Sequence, residues 1–180
     1  MRTGALVLVA YVMCVVLAAF WRLMPAAFLR DAVPDLGAMT VAYLGLTARR
    51  SVAPAVGGSV VLGYLIDLIS GTPPGLAALV LGLTCLISRA AQQRILVRGA
   101  RMTIAFSAFV ALAASVIGLL VRVIYGVPRP AFGTELGHIA LVTVATALVG
   151  PLVWRAFRRI DAAFARTHRE RDAALEGLAP

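Results

Sequence analysis

Residues 63–83 read GYLIDLISGTPPGLAALVLGL. Two apolar runs flank a short break, Gly71-Thr72-Pro73-Pro74-Gly75, where two prolines and two glycines stop any regular element. Neither run alternates polar with apolar residues, so neither reads as a barrel strand with one wet face. Both read as helices, and the break makes them an antiparallel hairpin. The left-hand run carries one acid, Asp67, which a wholly apolar surrounding would not tolerate unpaired.

Working outward, 61% of the 180 residues are hydrophobic and 14% charged, more apolar surface than a soluble domain of this size can hide. The matching solvent is a bilayer, where spanning segments must satisfy their own backbone groups. The apolar runs predict an all-α integral membrane protein with one domain of six transmembrane helices, near residues 3–21, 34–47, 52–70, 74–88, 102–125 and 136–154, followed by a basic tail over 155–180. Pro25 and Pro34 bound the first loop. Arg2 ahead of an apolar run raises a signal peptide, but Ala18-Ala19-Phe20 is a poor cleavage site, so the first helix is read as retained. The second and fourth segments are short: about 15 residues at about 1.5 Å each fall below the roughly 30 Å of hydrocarbon. They must extend into their flanks, tilt little, or be shielded by other helices.

The net charge is +9, and every basic residue is arginine. These arginines sit between apolar runs rather than on one continuous patch, so nucleic acid is not the expected partner. With six crossings, Arg2, Arg49, Arg50, Arg89, Arg94, Arg98, Arg101, Arg155, Arg158, Arg159, Arg166, Arg169 and Arg171 share one side, against Arg22, Arg30, Arg122 and Arg129 on the other. The thirteen-to-four bias places both termini in the cytoplasm, and a five- or seven-helix count would spoil it.

Ser59, Gly63, Asp67 and Gly71 recur every fourth residue and so share one narrow helix face. Ser59 and Gly63 form a small-xxx-small pair that lets another helix approach closely. Asp67 has three open readings: a helix-end residue touching the backbone of the following turn, a partner for Arg122, or a proton- or cation-handling group. In the tail, Trp154, Phe157, Ile160 and Phe164 form one stripe among Arg155, Arg158, Arg159 and Arg166, which reads as an amphipathic extension drawn to anionic membrane lipids or as a simple basic flank. No catalytic, cofactor or metal site is expected. Ser107, Ser115, Thr143 and Thr146 lack a base at a suggestive spacing, His138 and His168 stand apart, and Cys14 and Cys85 lie inside apolar runs. The Gly71–Gly75 turn lacks the residues of a phosphate loop.

The stretch GYLIDLISGTPPGLAALVLGL resembles the central signature of the MreD family of rod shape-determining proteins: a glycine-bearing helix, an Asp-Leu pair, a Ser-Gly-x-Pro turn, then Gly-Leu and another apolar helix. The following SRAAQQRI, the Pro-Asp before the second helix and the closing RAFRRIDAAF fit as well. The specific part covers about residues 57–89; the remainder matches in layout. The resemblance implies a non-enzymatic inner-membrane scaffold of the bacterial elongation machinery, binding MreC beside MreB, RodA and its transpeptidase partner, in support of lateral peptidoglycan synthesis. With the spacing of the small residues, this leads to the expectation that Ser59, Gly63, Asp67, Gly71, Pro73 and Gly75 serve helix packing or partner docking. It also implies a fold similar to the substrate-binding subunits of energy-coupling-factor vitamin transporters, and such a subunit is the rival reading. The departures are the absence of lysine and a long first loop. A vitamin site would want clustered aromatic and polar groups on the outer side, where Trp21, Tyr125 and Phe132 stand with few hydrogen-bonding neighbours.

Overall fold

The computed structural model describes residues 2–22, 32–48, 52–92, 99–127 and 132–176, and among them the regular elements are six helices. They are α1 (Arg2–Arg22), α2 (Leu36–Thr47), α3 (Ala53–Ser70), α4 (Leu76–Gln92), α5 (Ala100–Ile124) and α6 (Phe132–Glu176). Pro25, Arg30, Asp31, Arg49, Arg50, Arg94, Arg98 and Arg129 of the sequence reading lie outside the described residues, as do the side chains of Arg2, Trp21, Arg22 and those beyond residue 164.

The helices α1, α3, α4, α5 and α6 form a ring in that order, and α6 closes it by touching α1. The centre of the ring is α2, which contacts all five others. Every residue from Leu36 to Leu46 is buried, whereas the ring helices keep one apolar face outward: Leu8, Val12 and Val16 on α1, Val60, Val61, Tyr64 and Leu68 on α3, and Leu148 and Leu152 on α6. Apolar exposure of this extent is expected where lipid is the solvent.

Four helices, α1, α3, α5 and α6, are long and apolar enough to cross a membrane, while α2 and α4 are shorter. The central position of α2 explains how 12 residues suffice. At about 1.5 Å per residue the helix spans only about 18 Å, but it faces protein throughout, so no length of hydrocarbon has to be matched. Two helices differ from the sequence reading in where they end or begin. Helix α4 starts at Leu76 rather than 74 and runs on to Gln92, taking Arg89 into its last turn. Helix α6 does not end at 154: it continues through the basic tail to Glu176, with Pro151 inside it. The tail is rich in Ala and Arg, both good helix formers, and no glycine breaks it before Gly177.

Candidate functional site

The α3–α4 hairpin is held by a single carboxylate. Asp67, 1% exposed, sits in the last turn of α3 and reaches across the turn to the start of α4. Its Oδ1 accepts from the Thr72 hydroxyl at 2.6 Å, and its Oδ2 accepts from the Gly75 N–H at 3.0 Å. The Ala77 N–H donates to both oxygens at 3.0 Å, and the Ala78 N–H to Oδ2 at 3.4 Å. These amides are the orphan donors of the first turn of α4, and the positive end of that helix favours an anion. An acid at the C-terminal end of its own helix is unfavourable, and the neighbouring N-terminus offsets that. Of the three readings of Asp67, the structure therefore shows the helix-end contact. Arg122 lines a neighbouring cavity together with Asp35, Ile66 and Ala77.

The turn geometry makes the reach of Asp67 short. Gly71 ends α3 with φ +66°, a left-handed cap whose N–H donates to the Asp67 carbonyl at 3.1 Å. Gly75 is also left-handed, at φ +98°. Pro73 and Gly71 are exposed on the turn.

Farther down α3, Gly63 is where the two helices touch. A Cβ there would lie 2.6 Å from the Ala77 carbonyl carbon and closer still to Ala78. Ser59, fully buried, donates to the Ala55 carbonyl of its own helix at 2.7 Å. The face bearing Ser59, Gly63 and Asp67 is thus turned into the chain. Of the two roles expected for this face, helix packing or partner docking, Gly63 serves the first by admitting the chain's own α4, and the Ser59 and Asp67 side chains are enclosed.

Comparable devices hold α2. Asp35 caps its N-terminus, accepting from the Ala38 N–H at 2.7 Å, and the Asp35 N–H donates to Thr146 Oγ1 on α6 at 2.9 Å. At the other end the Arg89 guanidinium of α4 donates to the Ala48 carbonyl just past α2. A cation at a helix C-terminus and an acid at an N-terminus both follow the backbone dipole. Sequence reasoning missed Asp35 and Arg89 in these roles. A Pro-Asp pair just before an apolar run was the available sign for Asp35; Arg89 carried none, because its target lies 41 residues away.

The apolar stripe of the tail begins inside the bundle. Trp154 and Phe157 are buried. Trp154 meets Tyr43 edge-on at 5.4 Å and Phe106 at 6.0 Å, while Phe157 tilts against Tyr43 at 5.3 Å. Ile160 packs against the same core, and Phe164 is half-buried. The Tyr43 hydroxyl donates to Asp161 at 2.5 Å, tying the centre of the ring to the tail. Trp154, Phe157 and Ile160 face protein because α6 runs on unbroken and carries the spanning segment's inward face into the tail. Among the candidate serines and threonines, Ser107 and Thr143 bond back to carbonyls four residues earlier, at 2.7 Å each, and Thr146 makes the bond to Asp35 between helices.

The family model of the rod shape-determining protein MreD matches residues 2–133. The chain belongs to the MreD family. The match spans α1 to α5 and stops at the start of α6, so it includes the Asp67 clasp and both ends of α2. No curated protein and no solved structure matches the chain. Family membership assigns a role in rod shape determination, in a family that is structural rather than enzymatic, and with the four long apolar helices it makes this a membrane protein. It lends no support to the vitamin-transporter alternative.

Proposed function

We propose that this chain is a non-enzymatic scaffold of the rod complex in the bacterial inner membrane, with both termini cytoplasmic, which binds MreC and works beside RodA, its transpeptidase partner and MreB to support lateral peptidoglycan synthesis. The family match over residues 2–133 carries the reading. The arginine bias carries the orientation. The likeness of a six-helix bundle to energy-coupling-factor subunits is part of the same proposal.

The choice of docking face in this proposal is supported by what the fold leaves open. With Ser59, Gly63 and Asp67 enclosed, α3 presents Val60, Val61, Tyr64 and Leu68 outward, and the Gly71–Pro73 part of the turn is exposed above them. A partner's membrane helix would lie along these side chains and meet the turn at its end. Such a contact gains from packing rather than from burial, since lipid and partner are equally apolar. The test is affinity purification of the full chain from native membranes in mild detergent, with mass spectrometry of what accompanies it. MreC in the eluate is the expected result. Transporter ATPase subunits in its place would overturn the reading.

A further inference from the structure

We infer that the end of the bundle where α1, α3 and α5 finish holds a binding site for a zwitterionic phospholipid bearing an amine headgroup. This goes beyond the scaffold reading and does not depend on it.

Two adjoining cavities open there. One, of about 260 Å³, has Leu119 and Gly118 of α5, Val80 and Leu81 of α4, and Ile139 of α6 as apolar walls. The other, of about 460 Å³, lies against the end of α1 and the start of α2. Asp35, Ile66, Arg122, His138 and Val142 line both, so the two are lobes of one cleft with a polar seam between them. Apolar walls on either side of a charged seam suit a molecule with hydrocarbon chains and a charged head.

The charges decide the kind of head. Arg122 stands in the last turn of α5 and Glu135 in the first turn of α6, each at the helix end whose dipole favours its sign. Asp35 is already occupied with the N-terminus of α2. Glu135 is 8% exposed, and among the described residues none donates a hydrogen bond to its carboxylate. A carboxylate on a largely buried residue, with its oxygens open to a cavity, suits a cationic donor. Arg122 and His138 offer donors to a phosphate beside it. An ammonium and a phosphate linked by two carbons satisfy both, whereas a headgroup with a phosphate and only hydroxyls brings no cation of its own to Glu135. The same headgroup chemistry exists without chains, as glycerophosphoethanolamine, and the apolar lobes favour the lipid.

The test is native mass spectrometry of the purified full chain in detergent, titrated in parallel with phosphatidylethanolamine, phosphatidylglycerol and glycerophosphoethanolamine. Phosphatidylethanolamine is expected to bind in preference to both others, with roughly tenfold weaker binding in Glu135→Gln. Gly118→Leu gives an arm that does not touch a charge. A Cβ at Gly118 meets nothing within 4 Å, so the side chain fills the apolar lobe without straining the fold, and it should abolish the adduct while thermal stability is kept. Equal binding of the two phospholipids, adducts unchanged in both variants, or equal binding of the chain-free headgroup would each overturn the inference.

Discussion

Asp67 brings a charge into a dry part of the bundle, and what surrounds it sets the effect of changing it. The carboxylate serves one hydroxyl and three backbone N–H groups, so Asp67→Ala leaves several buried donors without an acceptor. Loss of a cap together with a buried hydrogen-bonded charge should lower stability by about 2 kcal/mol or more. Asp67→Asn, which keeps one oxygen but turns an amide toward other donors, should fall between, and thermal unfolding in detergent ranks the three. Gly63 is constrained by shape instead. Gly63→Leu should yield little folded protein by size-exclusion chromatography, because backbone, not a flexible side chain, occupies the space. Gly57→Ala on the same helix meets nothing within 4 Å and should match or exceed the parent by about 0.5 kcal/mol. At this scale the sequence showed that Asp67 and Gly63 matter and which helix face they share. It left the partner open, since four-residue spacing reveals a face but not what covers it.

The two short helices are stabilised at their ends by residues they do not own. Helix α4 is capped from α3 by Asp67, and α2 receives Arg89 from α4 and Thr146 from α6. Arg89→Gln shortens the reach to the Ala48 carbonyl and removes the charge that favours the end of α2. A loss of about 1 kcal/mol is expected by thermal unfolding, against no change for Arg158→Gln on the exposed side of α6. The six helices were legible because long apolar runs separated by Pro, Gly and Arg have few other meanings. The continuation of α6 was legible only as an amphipathic stripe over Trp154–Phe164, not as one unbroken helix whose start packs inside the bundle. A change from apolar to basic composition at residue 155 marks a change of surroundings, which a helix can cross without ending, and Trp154 and Phe157 stayed on the inward face as it did.

For the whole molecule, the five-helix ring around α2 was beyond sequence reasoning for a physical reason. In a soluble protein the polar face of a helix tells which side is out, but here lipid and core are both apolar, and Leu36–Thr47 looks like any other spanning run. The arrangement explains why the smallest helix can be the central one and why the small-residue face of α3 is spent on the chain's own fold. On the proposed scaffold reading, partner contact falls to the outer wall, and the central proposal is that this wall binds MreC. The most direct measurement is binding of purified full-length MreC to the purified chain in lipid nanodiscs, beside the double variant Tyr64→Ala, Leu68→Ala. Both side chains are exposed, so the variant should keep its stability within about 0.5 kcal/mol. The account predicts saturable binding to the parent chain and at least roughly tenfold weaker binding to the variant, about 1.4 kcal/mol. A parent chain that fails to bind MreC, or a variant that binds it equally well, would contradict it.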